Sequence, residues 1–247
     1  MRRAFRHAVR YYLEVARTGG LTVASATARV DVETPDEVRD ALQTGRPVII
    51  VGMHFGAIEL PTIVLSSMVH HAVTAPMETV ADPGLQRWFV ESRSRVGVNI
   101  VPIADARRTL LRAIRRGESV GMVVDRDLVG NGLPVPFFGH PAPIPAGPAL
   151  LAIETGVPVY AASARRTPGG RYCGKLILVP APAAGSRRER VTALTAAIAE
   201  AFETIVADAP EQWWGAFHPI WPDLALTAPV DVDAAAEPAA TDPGARA

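Results

Sequence analysis

Five short apolar runs recur along the chain, at residues 47–53, 98–102, 119–124, 157–163 and 176–179, with amphipathic stretches between them. The first of them centres on Val48, Ile49, Ile50 and Val51, β-branched and apolar on both faces. A strand of that kind is buried on both sides, which is the condition of a parallel sheet covered by helices. The stretches between the runs have helical spacing. Asp105 is placed to cap a helix whose Leu110, Leu111 and Ile114 share a face, with Gly117 as its stop. Pro148 opens another through Leu150, Leu151 and Ile153, ended at Gly156, and Val191, Leu194, Ile198, Phe202 and Ile205 mark a long amphipathic helix. Strands alternating with helices give an α/β class, with a mainly parallel central sheet flanked by helices.

One ordered unit over residues 1–227 is expected, followed over 228–247 by a tail rich in Ala, Pro and Asp that lacks periodicity and reads as disordered. Formal net charge is zero, so no global field points to nucleic acid. Charge is nevertheless local. Residues 1–30 carry Arg2, Arg3, Arg6, Arg10, Arg17 and Arg29 against Glu14 alone, and residues 87–116 hold eight arginines. Such patches suit phosphates or an anionic membrane surface, or are solvated helix faces. The single Cys173 leaves neither a disulfide framework nor a cysteine metal site, and the adjacent His70 and His71 point apart on a helix or a strand alike, so no metal is expected.

No run reaches the roughly 18 to 20 apolar residues of a spanning helix. The first residues lack the apolar core and small-residue site of a signal peptide. They do place Phe5, Val9, Tyr12 and Leu13 at helical spacing among arginines. That stripe either packs on its own domain or lies on a membrane.

In an open parallel sheet, ligands bind beyond the carboxyl ends of strands. The first run ends in His54, within GMHFGAIELP, and the third in Asp125, Arg126 and Asp127, so the two line one crevice if their strands are neighbours. Glu59 follows His54 by five residues. On one helix the two would face about 140° apart, and fully extended they would be roughly 17 Å apart. They meet only if the chain turns between them, which Gly56 permits. A carboxylate against an imidazole makes a general base with an orienter. The alternative is a buried histidine in a turn and a glutamate at a helix N-terminus, where the macrodipole favours it.

Downstream, VVDRDLVGNGLPVPFFGHPAPIPAG reads as a long loop of fixed shape. Phe137 and Phe138 make it apolar, and it delivers the chain to a helix start near Gly147. An arginine, a helix N-terminus and an apolar wall suit a ligand with phosphate at one end and hydrocarbon at the other.

HFGAIE is an H-x4-E motif of the kind found in glycerolipid acyltransferases. Together with DRDLVGNGLPVPFFG, PAGPALLAIETGVPV and EQWWGAFHPIW, its order and spacing resemble the bacterial family of late lipid A and phosphatidylinositol mannoside acyltransferases, from about residue 10 to 222. Members usually carry a longer membrane-associated segment before the position at which this sequence starts.

The resemblance implies a glycerolipid-acyltransferase-like fold and transfer of a fatty acyl chain from an acyl thioester (acyl-CoA or acyl carrier protein) to a hydroxyl of a glycolipid or phospholipid. It implies His54 as catalytic base and Glu59 as its acidic partner, with Arg93 and Arg126 binding phosphate; Arg126 alternatively pairs with Asp125 or Asp127. Asp125, Phe137, Phe138 and His140 become candidates to line the site, His140 standing where the mannoside branch is expected to have an acid. His218 and Trp221 fall in an aromatic motif expected to pack near the site. No resident cofactor is implied, and the enzyme is expected to sit peripherally on the cytoplasmic side of the cell membrane, with membrane lipid and thioester donor as partners. The rival readings are a hydrolase on the same scaffold, without the G-x-S-x-G elbow of a serine enzyme, and a lipid-binding protein with an idle dyad.

Overall fold

The computed structural model describes residues 2–33, 36–69 and 71–224. Its elements run α1 (Arg2–Arg17), α2 (Val23–Thr27), β1 (Val30–Glu33), α3 (Asp36–Gln43), β2 (Ile49–Gly52), α4 (Glu59–Met68), β3 (Val73–Met77), α5 (Pro83–Ser94), β4 (Val98–Pro102), α6 (Ala106–Arg115), β5 (Ser119–Val123), β6 (Leu133–Phe137), β7 (His140–Ile144), α7 (Gly147–Thr155), β8 (Val159–Arg166), β9 (Tyr172–Val179) and α8 (Arg187–Asp208). The expected tail over 228–247 and His70 lie outside the described residues.

Seven strands form one sheet in the order β1-β9-β8-β2-β5-β3-β4. Every neighbouring pair is parallel except β8 with β9. This is the mainly parallel, helix-flanked α/β architecture expected from the alternating runs. The central strand shows why. Ile49 and Val51 enter the large core formed with Leu110 of α6, Leu151 of α7 and Ile198 of α8, whereas Val48 and Ile50 enter a separate cluster with Leu42 and Val69 on the other face. Each fully buried aliphatic side chain contributes roughly 1.5–3 kcal/mol, so a polar residue on either face of β2 would be costly.

Local signals account for the helix ends. Ser186 and Glu189 close a reciprocal capping box on α8, Asp82 caps α5 ahead of Pro83, and Gly156 takes the left-handed conformation that ends α7. Asp105 occupies the cap position of α6, but its carboxylate turns to Arg108 rather than to a backbone N–H.

Four strands were not expected, in three places. β1 has only four residues, at an edge of the sheet. β3 contains Pro76, which lies beyond the two residues that pair with β5, so its missing N–H costs nothing there. The third is the segment expected to be a loop, which contains the β6–β7 hairpin. Pro134 faces Pro143 and Pro136 faces Pro141, in alternate pairs that need no inter-strand N–H, while Val135 and Ala142 between them are buried. Phe138 and Gly139 make its two-residue turn, both with positive φ (49° and 77°), the type I′ conformation.

Candidate active site

β2 and β5 are paired in register, Ile49 with Val120 through Gly52 with Val123. Two residues further along each strand stand His54 and Asp125. The Nδ1 of His54 is 2.7 Å from Oδ1 of Asp125, and the His54 backbone N–H donates to Oδ2 at 2.9 Å. Trp213 Nε1–H donates to the same Oδ2 at 3.2 Å. The carboxylate is buried, 4% exposed, yet has three donors. Burial alone would raise its pKa, but the His54 ring, the His54 backbone and Trp213 outweigh that and hold it below the ordinary carboxyl value. An ionised Asp125 keeps the proton of the imidazole on Nδ1, which leaves the Nε2 lone pair free to act as a base.

The turn after His54 is held from two sides. Gly56 has φ 56°, and a Cβ there would lie 2.0 Å from the carbonyl oxygen of Ala164, so both its conformation and its neighbour require glycine. Its N–H donates to the carbonyl of Gln212, while the N–H of Trp214 donates to the carbonyl of His54. Gln212 is in turn fixed by reciprocal side-chain bonds to the backbone of Arg166. The C-terminal WW segment is therefore the brace of the histidine loop. The ring of Trp214 lies 5.8 Å from that of His54 and stacks on His218, with centroids 6.5 Å apart.

His54 opens on a cleft of about 470 Å³. Leu65, Ala75, Phe89, Ile100 and Met122 give it apolar walls, and Arg126 and Glu59 are among its polar lining. Its size falls in the ordinary range of ligand sites, roughly 300–1,000 Å³.

The expected pairing of His54 with Glu59 is not what the structure shows. Glu59 does stand in the first turn of α4, but its two carboxylate oxygens receive Nε and Nη2 of Arg93, at 3.2 and 2.6 Å. The pair is nearly buried, with side chains 7% and 17% exposed. Arg93 also lies against the Phe89 ring, 5.0 Å from its centroid, and burial, which would lower its pKa, is outweighed by Glu59. The fork expected to hold phosphate is thus closed on a carboxylate.

Arg126 reaches Glu78, with Nη2 2.5 Å from Oε1, and neither of the aspartates weighed as partners. Asp127 instead accepts the backbone N–H groups of Val129, Gly130, Asn131 and Gly132, shaping its own loop. The Nε–H of Arg126 is buried without a partner among the described residues, a donor left over at the cleft.

Phe137, Phe138 and His140 are not brought to the cleft. Phe137 is fully buried, stacked on Trp221 with centroids 5.7 Å apart, and its carbonyl accepts from Trp221 Nε1. Phe138 and His140 sit exposed at the hairpin tip. Trp221 therefore packs the hairpin and His218 packs beside the histidine. Sequence reasoning missed Trp213 as a partner of Asp125 and Tyr11 as part of the site. Tyr11 comes from α1, lines the cleft and packs edge-on to Trp214 at 4.5 Å. Burial, with Glu59 adding to it, pushes its phenol pKa up. Nothing local marks these two, because they arrive from the ends of the chain. Among the described residues no cluster of metal-ligating side chains occurs.

The profile of the family described as "Bacterial lipid A biosynthesis acyltransferase" matches residues 1–222. A protein of Mycolicibacterium smegmatis (strain ATCC 700084 / mc(2)155) named phosphatidylinositol mannoside acyltransferase is 28% identical over 208 residues, 83% of this chain and 66% of the relative. A protein of the same name from Mycobacterium tuberculosis (strain CDC 1551 / Oshkosh) is 27% identical over 210 residues, 83% of this chain and 65% of the relative. The chain thus spans slightly less than two thirds of the length of these relatives.

Proposed function

Because this chain belongs to the bacterial lipid A biosynthesis acyltransferase family, we propose that it moves a fatty acyl group from a thioester, acyl-CoA or acyl carrier protein, to a hydroxyl of a glycolipid or phospholipid. A phosphatidylinositol mannoside is the acceptor class to try first, since the mycobacterial relatives bear that name. The observation that carries the reading is the His54–Asp125 hydrogen bond at the mouth of an apolar cleft. Nε2 of His54 takes the proton of the acceptor hydroxyl as its oxygen attacks the thioester carbonyl. The tetrahedral intermediate collapses, the carbon–sulfur bond breaks, and the thiolate leaves with the proton returned from the imidazolium. The products are an ester and a free thiol. Asp125 orients the ring and stabilises the imidazolium, in the role that the third member of a triad has elsewhere.

Arg126 supports the phosphate part of the reading through its unpaired Nε–H, while Arg93 serves to hold Glu59. Attachment to the cytoplasmic face of the membrane is supported by α1. Phe5, Val9, Tyr12 and Leu13 are each 55–63% exposed, although Phe5 meets the ring of Phe217 and Tyr12 that of Trp214, and the arginines around them favour an anionic surface. No helix among the described residues is long and apolar enough to cross a membrane. The test is a product assay. Labelled palmitoyl-CoA or palmitoyl carrier protein is incubated with and without phosphatidylinositol mannoside. A labelled, more highly acylated lipid formed only in the presence of acceptor is expected. Release of free fatty acid at the same rate with and without acceptor would make the protein a hydrolase instead.

A further inference from the structure

A second cavity, of about 600 Å³, lies alongside α1. Phe5, Val9 and Leu13, one helical turn apart, form one wall; Leu21, Ile58 and Leu60 stand on the other. The inner face of α1 is tied down elsewhere. Glu14 receives Nε and Nη2 of the buried Arg166 and the hydroxyl of Tyr172, so α1 is held with this apolar flank open. From Phe5 to Arg17 the helix advances about 18 Å, the length of an extended fatty acyl chain.

Arginines outnumber carboxylates along the groove, Arg6, Arg10, Arg17 and Arg29 against Glu14 and Glu59, and both carboxylates are ion-paired. Arg10 is paired with Glu14, and Arg29 with Gly170 and Tyr172. Arg6 and Arg17, near the two ends of that span, have no ion pair or hydrogen bond among the described residues. The groove also shares Tyr11, Ala57, Ile58 and Glu59 with the catalytic cleft. A molecule lying along α1 is therefore one wall away from His54.

We propose that this groove holds one hydrocarbon chain of the anionic acceptor lipid, with a free arginine of the rim against its phosphate, so that the polar head reaches over the shared wall toward His54. The assignment to acceptor rests on the acyl-transfer reading above. A groove that follows α1 for about 18 Å, apolar at Phe5, Val9 and Leu13, with unpaired guanidinium groups and continuity with the cleft, has the features such a lipid needs. The thioester donor then has the cleft lined by Leu65, Ile100 and Met122 to itself.

The probe is 1-palmitoyl-lysophosphatidylinositol below its critical micelle concentration, titrated calorimetrically into the full chain. Leu13→Trp fills the groove from a position that is 55% exposed and keeps its apolar character. Leu21→Asp places a carboxylate opposite, and the double change Arg6→Ala/Arg17→Ala removes the rim charge. Each is expected to weaken lysolipid binding by about tenfold or more with palmitoyl-CoA binding unchanged; Leu13→Trp and Arg6→Ala/Arg17→Ala should leave the melting temperature unchanged as well, whereas Leu21→Asp, at a half-buried position packed on the Leu60 cluster, should lower it. The rim variant should also lose the salt dependence of binding. The proposal is overturned if the lysolipid does not bind, if all three variants bind it normally, or if they weaken palmitoyl-CoA equally. It is also overturned if the wild type sediments as a dimer that Leu13→Trp dissociates. Binding is read without turnover. A protein that binds the lysolipid in this groove yet transfers no acyl group would sink the acyl-transfer reading and leave the groove standing.

Discussion

Two buried carboxylates stand beside the cleft, and they do different things. Asp125, at the end of a strand, faces an imidazole that can gain and lose a proton; Glu59, at the start of a helix, faces a guanidinium that cannot. The first arrangement stores a proton-transfer capacity at the cleft. The second fixes α4 to α5 with a permanent charge pair and has no proton to relay. What separates them is not burial, since Asp125 is 4% and Glu59 6% exposed. It is the chemistry of the partner, and the partner is decided by topology. Parallel pairing of β2 with β5 carries His54 to Asp125, while the turn at Gly56 sends Glu59 off with α4.

The largest test of this contrast is at the proton-transfer pair. A positioned base contributes about 10²- to 10⁴-fold, so His54→Ala should lose that much acyl-transfer turnover with the donor still bound. Asp125→Asn should lose nearly as much. Its amide can donate to Nδ1, which forces the ring proton onto Nε2 and removes the base. The double variant should be little worse than either alone, because the two act as one unit. Losses that multiply across the two sites would break the comparison, and near-normal turnover in Asp125→Asn would end Asp125's part in it.

The charge pair should behave in the opposite sense. Removing one member of a buried ion pair costs about 3–5 kcal/mol through the charge left behind. Glu59→Gln, which strands Arg93, should therefore lower unfolding free energy by an amount of that order in urea titration. Turnover of the protein that remains folded should change little. Replacing Glu59 and Arg93 together by leucine should cost less than the sum of the single changes. A Glu59→Gln variant with normal stability and turnover reduced as far as in His54→Ala would restore the H-x4-E dyad that the spacing suggested.

Much of this was legible before the structure. The β-branched run at residues 48–51, the helix stops at Gly117 and Gly156 and the placing of His54 at a strand end all rest on local physics, and they hold. Even the pairing of His54 with Asp125 was within reach. The β2–β5 register gives every pair a separation of 71 residues, and His54 and Asp125 keep it two residues beyond the strands. What hid it was that the motif offered a nearer acid. The hairpin hid itself differently. Four prolines argue against strands, and Phe138-Gly139 lacks the Asn or Asp usual in a type I′ turn, so only the paired alternation of proline with proline makes the strands possible. Trp213 and Tyr11 were not legible at all, since a side chain that arrives from a distant segment leaves no periodicity at the site it joins.

The smallest test concerns the donor that separates Asp125 from an ordinary buried acid, the indole N–H of Trp213. Trp213→Phe keeps a ring against Phe137 and Trp221, whose centroids lie 5.6 and 5.9 Å away, and removes only that donor. A hydrogen bond to a charged group contributes about 1.5–3 kcal/mol, and with two other donors still on the carboxylate the lower end is expected at pH 7. The sign of the pH dependence follows from the depressed pKa of Asp125. Its ionised form stabilises the fold above the ordinary carboxyl value of about 4, and that contribution is lost as pH falls through the lower folded value. Trp213 donates to the ionised form, so wild type and Trp213→Phe should differ in urea stability at pH 7 and draw together as pH falls below the ordinary carboxyl value toward the lower folded one. A packing defect would give a difference that does not depend on pH. A constant gap between the two proteins would therefore assign Trp213 to the aromatic wall and leave His54 to hold Asp125 without it.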